Sequence, residues 1–208
     1  ARAARLDPEH LPYALLQIEA LAAGGETERA LLQTQQALQR HPARHRGELL
    51  ALRSRLHRQL QRDDAAQQDA RDALAAGELS LSSEVDLLLQ LQRSAEARTV
   101  LAHALEKNAE LASGADPDIA YLALRVGDDE TALAIFGRAS AQGTLPASAL
   151  LDAGYTASRE GDSERSGIYF RRAIDAADSG AISLTPQQRF ATRRELSDRS
   201  RHWGVNAL

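Results

Sequence analysis

Two tyrosine–arginine pairs are the residues of this sequence whose types and spacing best suit binding. Tyr121 and Arg125 form one pair, and Tyr155 and Arg159 form the other, 34 residues further along the chain. Residues four apart lie on one face of a helix, so each pair presents an aromatic ring beside a guanidinium. Such a surface can stack on a sugar ring, hold an extended peptide or bind a partner's carboxylates. The alternative is that the tyrosines pack between helices and the arginines are solvated.

A second set of basic residues lies in a predicted helix that also carries a stripe of leucines. The leucines recur at spacings of three and four, which predicts one buried face: Leu49, Leu52, Leu56 and Leu60. The basic residues are expected on the opposite face: Arg46, Arg53, His57 and Arg58. This face either receives an acidic partner or is simply solvated. Nucleic acid is not expected as a partner, since the net charge is −4 and no aromatic residue lies among these arginines.

Motifs for catalysis are absent from the sequence. The chain has no cysteine, no Gly-rich phosphate loop and no His-Glu-x-x-His motif. His41 and His45 have the spacing of a metal-binding pair, but Pro42 lies between them and no third ligand is near in sequence. The acidic pairs at 63–64 and 128–129 both begin predicted helices, where we expect them to cap the backbone. We therefore predict no enzymatic activity, no metal and no cofactor.

The elements that position these residues are predicted to be repeated helices. The chain has 208 residues, of which only 4% are aromatic, and it is rich in alanine and leucine, which disfavours an all-β protein. Five segments place a turn before a helix that carries two small residues seven apart. The first small residue recurs at spacings of 36, 31, 35 and 34 residues: Ala30, Ala66, Ala97, Ala132 and Ser166. A period near 34 is typical of helix-turn-helix units.

This pattern resembles the tetratricopeptide repeat (TPR) family. The fifth segment carries the family's small, turn, small, aromatic and small positions as Gly154, Gly161, Ser166, Phe170 and Ala173. The resemblance implies an all-α solenoid of helix-turn-helix hairpins wound into a right-handed superhelix. It also implies that the first helix of each hairpin lines the concave side, which is where the two tyrosine–arginine pairs fall.

The predicted organisation is a series of repeats closed by a helix. A tail of a preceding repeat at 1–8 is followed by a TPR at 9–42, degenerate TPRs at 43–77 and 78–110, TPRs at 111–145 and 146–180, and a C-terminal capping helix at 185–208. Thr185 and Gln188 are expected to form the capping box of that last helix. No stretch has the roughly 18 consecutive apolar residues of a membrane-spanning helix, and no leader is recognisable, so we expect a soluble fragment of a longer array.

Charge is unevenly distributed along the sequence. Residues 40–62 carry a formal charge of +6, whereas residues 106–164 carry −7. The acidic segment would favour a cationic polysaccharide if the protein contacts a polymer.

The segment at 150–204 carries a second, more specific resemblance. The runs that support it are 151–155, 169–176, 184–188, 193–195 and 203–204. They resemble the periplasmic TPR region of outer-membrane exopolysaccharide export and phage-receptor proteins (NfrA/PelB-like). The resemblance implies a scaffold on the periplasmic face of the outer membrane and a parent protein with an outer-membrane β-barrel. It also implies a protein partner, either a periplasmic enzyme or a secretion component, with polysaccharide as a further ligand.

A different class of function remains open from the sequence. TPR arrays serve many unrelated processes, because the fold alone does not determine the partner. The alternative is a cytoplasmic adaptor or co-chaperone-type module that binds peptides and has no link to export.

Overall fold

The protein folds as a series of helices. The computed structural model describes residues 11–40 and 45–203, with side chains for 13–40 and 45–198. Within these ranges all regular elements are helical, and none of the helices is both long and apolar enough to cross a membrane. The chain divides into two compact units, Ala1–Leu101 and Ala102–Leu208. The predicted tail at 1–8 and His41 of the predicted histidine pair lie outside the described residues.

Unit 1 consists of helix hairpins. Its helices are α1 (Leu11–Ala23), α2 (Thr27–Arg40), α3 (Arg46–Gln59), α4 (Asp63–Ala76), α5 (Leu81–Gln90) and the first part of α6 (Ser94–Lys107). The successive hairpins are α1/α2, α3/α4 and α5/α6. Leucines and alanines from α2, α3, α4 and α5 form one continuous core cluster, so neighbouring hairpins bury their apolar faces against each other.

Unit 2 repeats this arrangement. Its remaining helices are α7 (Ala109–Ser113), α8 (Pro117–Arg125), α9 (Asp129–Ala141), α10 (Leu150–Arg159), α11 (Ser163–Asp178) and α12 (Pro186–Trp203), with a 3₁₀ turn at Ala147–Ala149 before α10. The hairpins are α8/α9 and α10/α11, and α12 packs against α11. The large aromatic residues of the second helices, Phe136 and Phe170, are completely buried.

The same turn closes each of the five hairpins, including the two that lack glycine. The residue at the turn has a left-handed backbone with φ between 57° and 79°: Gly25, Gln61, Gln92, Gly127 and Gly161. In every case the next residue donates its N–H to the carbonyl five positions earlier, over 2.8–2.9 Å. This is the hydrogen bond of a Schellman helix end, for which glycine is the favoured residue. The degenerate repeats therefore keep the turn and tolerate glutamine in it.

The small residues that defined the period are almost all buried. All five first small residues are at most 1% exposed, and small side chains at buried positions allow helices to pack closely. The second small residue is buried in four hairpins, while Ala104 in α6 is half-buried. The spacing in the sequence thus marks buried positions of the second helices.

The predicted helix starts are confirmed at α9 and α12. Asp128 accepts the N–H of Thr131 over 3.1 Å, and Thr185 and Gln188 form the reciprocal bonds of the capping box, 3.1 and 2.9 Å long. The prediction was wrong for 63–64, because α4 has Arg62 at its N-cap and no side-chain cap. Asp63 lies in the first turn instead, where it interacts favourably with the helix dipole.

Candidate interaction surfaces

The first helices of unit 1 form an open cleft. Its volume is about 270 Å³, and its walls come from α1, α3 and α5, the first helix of each hairpin, together with Ser80 before α5. The apolar part of the lining is Leu15, Ala51, Leu52 and Leu87. Leu52 and Leu87 are almost fully buried, so the floor of the cleft is also part of the core.

One register position links this cleft to the predicted tyrosines. Tyr121 and Tyr155 each lie eleven residues before the first small residue of the following helix. The same position in the three hairpins of unit 1 holds Glu19, Arg55 and Asp86, and all three line the cleft. In unit 2 the tyrosines therefore lie on one face of the first helices. The equivalent face of the first helices of unit 1 lines the cleft.

Charged groups surround the apolar floor of the cleft. The Glu19 carboxylate lies 3.7 Å from the Arg55 guanidinium, and both side chains are more than half exposed. Glu48 is held more firmly, because it accepts the N–H of Ser80 over 2.5 Å and the hydroxyl of Ser83 over 2.9 Å. Glu48 thereby fixes the start of α5 against α3 while keeping its negative charge at the cleft.

Tyr121 in unit 2 bridges two successive hairpins. Its hydroxyl donates to Oδ2 of Asp152 in α10 over 2.9 Å, and its ring packs edge-on against Phe136 with centroids 5.7 Å apart. Burial, reinforced by the hydrogen bond to Asp152, raises the pKa of Tyr121 to about 12. The side chain is half-buried, so part of the ring remains accessible.

Tyr155 repeats this ring packing and is the more accessible of the two. Its ring lies edge-on to Phe170 with centroids 4.9 Å apart, and 37% of the residue is exposed. Each tyrosine is thus anchored on one side by the phenylalanine of its own hairpin. Each ring therefore packs between the helices of its hairpin and also contributes to the surface, and binding through the rings stays a prediction.

The two arginines of the pairs are both exposed. Arg159 binds Asp129 of the preceding hairpin through two contacts, Nε to Oδ2 at 2.5 Å and Nη2 to Oδ1 at 2.9 Å. This hydrogen bonding lowers the pKa of Asp129 and raises the pKa of Arg159. Arg125 is exposed at the equivalent position of α8. A binding role for the two pairs stays a prediction, with Arg159 also joining neighbouring hairpins.

The predicted basic face of α3 differs in the structure. Arg53 is turned toward α4, where Nε and Nη2 bind Oδ2 and Oδ1 of the buried Asp69 at 2.7 and 2.5 Å. Nε2 of His57 lies 3.7 Å from the same carboxylate. The expectation that these two residues share an exposed face was therefore wrong, because a charged partner from α4 was not foreseen. Arg46 and Arg58 are exposed as expected, and partner binding by them stays a prediction.

Burial and hydrogen bonding shift two pKa values of this cluster in opposite directions. Desolvation lowers the pKa of His57, opposed in part by the negative charge of Asp69. Its Nδ1 atom is buried with no hydrogen-bond partner within the described residues. The hydrogen bond to Asp69 raises the pKa of Arg53.

Two features of these surfaces were missed from the sequence. Asp69 could have been found, since it follows Ala66 by three residues and therefore lies on the buried stripe of α4. The cleft could have been found by extending the tyrosine register into the first three hairpins. The equivalent positions in those hairpins hold Glu19, Arg55 and Asp86, so no repeated residue type marks the cleft.

Among the residues that the structure describes, no three potential metal ligands come together. The prediction that the chain is not an enzyme stays a prediction.

Comparison with solved structures identifies the fold. No family model matches the chain, and no curated protein matches it by sequence. YrrB, a TPR protein with an unusual peptide-binding site, is 20% identical with a TM-score of 0.51, over 84% of this chain and 90% of YrrB. A TPR protein from Parabacteroides merdae is 18% identical with a TM-score of 0.53, over 96% of this chain and 74% of that one.

Pseudomonas aeruginosa PilF is a further structural neighbour. It is 16% identical with a TM-score of 0.60, over 96% of this chain and 90% of PilF. Identities this low show the fold alone. The chain has the all-α TPR fold, which confirms the repeat prediction, while the resemblance to exopolysaccharide export proteins stays a prediction.

Proposed function

We propose that the chain is a protein-interaction module that binds an extended segment of a partner on the faces of its first helices. The observation that supports this most strongly is the cleft of unit 1, which is lined by the same register position in three successive hairpins. A TPR fold favours such a role, and the structural neighbour YrrB has a peptide-binding site. The first-helix faces of a solenoid follow one another in one direction, as do the residues of an extended peptide. Such a series of faces therefore suits an extended segment of a partner.

The tyrosines of unit 2 provide a separate candidate binding surface within that unit. Tyr155 is held against Phe170 and still has 37% of its surface exposed. An aromatic ring fixed in this way loses little conformational entropy when a ligand stacks on it. Tyr155 is therefore the residue of unit 2 that we expect to contact the partner most directly.

For the cellular setting, we propose a periplasmic scaffold in exopolysaccharide export. The support is the sequence resemblance of 150–204 to the periplasmic region of export proteins. The partner would be a periplasmic enzyme or a secretion component, with polymer contact as the competing mechanism. A cytoplasmic adaptor that binds peptides uses the same surfaces and is the second candidate. Immunodetection in separated periplasmic and cytoplasmic fractions of the source cells distinguishes the two settings, since recovery from the cytoplasm alone refutes the export role.

Site-specific photo-crosslinking tests the binding proposal. A photoreactive residue replaces Ala51 in the cleft or Tyr155 in unit 2, and a control replaces Gln68, which is exposed on the second helix α4. We expect crosslinks to one defined partner from position 51 or 155 and none from position 68. Equal crosslinking at position 68, or no partner from either surface, contradicts the proposal.

Substitution of the paired residues separates binding from folding. The double variant Tyr155→Ala, Arg159→Ala removes the exposed ring and the guanidinium together. Because Arg159 also binds Asp129, the matched control is Asp129→Asn, which disrupts that pair and leaves the ring and guanidinium in place. Weaker capture of the crosslinked partner by the double variant, with the control unaffected, assigns binding to the tyrosine–arginine face. Unchanged capture by the double variant removes this face from the proposal.

A further inference from the structure

We infer that the cleft of unit 1 accepts a lysine or arginine side chain of the bound partner segment. The inference rests on the proposed function and names the chemistry of its ligand. The cleft is open, and its volume of about 270 Å³ lies below the roughly 300–1,000 Å³ of pockets that hold drug-sized ligands. It therefore has room for side chains of an extended segment rather than for a folded element.

The charge of the residues that line the cleft determines whether the ligand should be positively or negatively charged. Three carboxylates and one guanidinium line the cleft, which gives a formal charge of −2: Glu19, Glu48, Asp86 and Arg55. A carboxylate of the partner would meet this negative field, whereas a cation is attracted by it. Complementarity of charge thus favours a basic segment over an acidic one.

The carboxylates of the cleft differ in how they can contribute to binding a cationic side chain. Both oxygens of Glu48 already accept hydrogen bonds from Ser80 and Ser83, so its contribution is the field of its charge. Within the described residues, Glu19 is held by one exposed 3.7 Å contact, with Arg55, and such pairs contribute little to stability. An incoming guanidinium or ammonium can therefore replace Arg55 at Glu19 at small cost.

The apolar floor explains why a long basic side chain fits better than a bare cation. Leu15, Leu52 and Leu87 lie in the lining together with the charged groups. Lysine and arginine bury their methylene stems on apolar surface and keep the charged end in a polar environment. The floor then receives the stem, and the charged end reaches the carboxylate of Glu19.

Peptide binding to the whole chain tests this inference. The probes are a labelled nonapeptide, Gly-Ser-Leu-Lys-Ala-Lys-Leu-Ser-Gly, and its analogues with both lysines replaced by glutamine or by glutamate. Fluorescence anisotropy is measured at low and at physiological salt. We expect the lysine peptide to bind at least about tenfold more tightly than the glutamate peptide, with the difference decreasing as salt rises.

Variants of the cleft locate the binding site. Glu19→Gln and Asp86→Asn should each weaken the lysine peptide by about threefold to tenfold, while Arg55→Gln should strengthen it. The matched control is Asp72→Asn, which removes an exposed carboxylate from the second helix α4. It should leave the affinity unchanged, and circular dichroism confirms that each variant is folded.

Opposite results overturn the inference. Equal or tighter binding of the glutamate peptide, no measurable binding of the lysine peptide, or an equal effect of Asp72→Asn each contradicts it. If position 51 still crosslinks a partner through a segment without lysine or arginine, the proposed function stands and this inference fails. If position 51 and position 155 crosslink no partner, the proposed function itself fails.

Discussion

The ring of Phe170 lies directly over Gly154. A Cβ atom at position 154 would stand 2.6 Å from Cε1 and 2.7 Å from Cδ1 of that ring, closer than real Cβ contacts allow. The same ring makes a T-shaped contact with the ring of Tyr155 at a centroid distance of 4.9 Å. The absent side chain at 154 therefore lets α11 approach α10, and this approach sets the position of the exposed tyrosine on the proposed binding face.

Gly154→Ala should destabilise the protein because the new methyl group overlaps a fully buried ring. We expect a loss of about 1–3 kcal/mol in the free energy of unfolding, as in other overpacked cores. Chemical denaturation followed by circular dichroism measures it. The control is Gly167→Ala in α11, whose Cβ would meet only Nη2 of Arg171 at 3.8 Å. That variant should stabilise the protein by about 0.5–1 kcal/mol through helix propensity, so effects of equal sign would contradict this account.

Gln61→Gly and Gln92→Gly should each stabilise the protein. Both glutamines have a left-handed backbone, with φ of 57° and 60°, and that conformation costs residues with a side chain about 1–2 kcal/mol. Glycine removes this strain but gains freedom in the unfolded chain, so we expect a net gain of about 0.5–1 kcal/mol per turn.

Thermal or chemical denaturation checks the gain against a helical control. Gln35 is exposed within α2, and Gln35→Gly should destabilise by about 1 kcal/mol. A loss of stability in both turn variants would mean that the glutamine side chains have contacts that outweigh the backbone strain.

How well the sequence predicts a feature of this structure depends on how far apart in sequence the interacting residues lie. Buried Ala66 and the turn at Gln61 follow from local periodicity, so the hairpin was predicted even without its glycine. The partner of Arg53 was not predicted, because Asp69 lies sixteen residues away on another helix and pairing of long side chains depends on how two helices pack. Local patterns thus predict the fold well and the charged contacts poorly.

The cleft of unit 1 was missed for a related reason. Its residues were predictable in position, since the register of Tyr155 leads back to Asp86, Arg55 and Glu19. They were missed as a site because no repeated residue type marks this position, which changes from aromatic in unit 2 to charged in unit 1. The folded structure, rather than a shared residue type, brings Glu19, Arg55 and Asp86 together in one cleft.

Asp69→Asn should strongly destabilise unit 1. Asp69 is only 5% exposed, and the substitution leaves the Arg53 guanidinium part-buried without its counter-charge. We expect a loss of about 2–4 kcal/mol, somewhat below that of a fully buried pair because Arg53 retains some contact with water. A double-mutant cycle with Arg53→Met separates the pair from the individual side chains. A coupling energy near zero would show that the two groups contribute independently.

The half-buried position of His57 predicts a dependence of stability on pH. Desolvation lowers its pKa in the folded state, while the unfolded chain keeps a pKa near the usual value of about 6.5. The unfolded state therefore binds a proton more readily than the folded state between these two values. It follows that the contribution of neutral His57 is fully present above about pH 6.5 and is lost progressively as the pH falls toward the folded pKa.

Denaturation midpoints between pH 5 and 8 measure this dependence. The charged groups around His57 act in both directions, since Asp69 and Glu28 favour its protonation while Arg53 and Arg62 oppose it. His57→Gln should flatten the decrease in stability below about pH 6.5, because the titrating group is gone. His103→Gln is the matched control, since His103 is exposed on α6, and it should retain the decrease. If the stability of His57→Gln decreases with falling pH as steeply as that of the unmodified protein, other residues cause the acid sensitivity and the prediction for His57 is wrong.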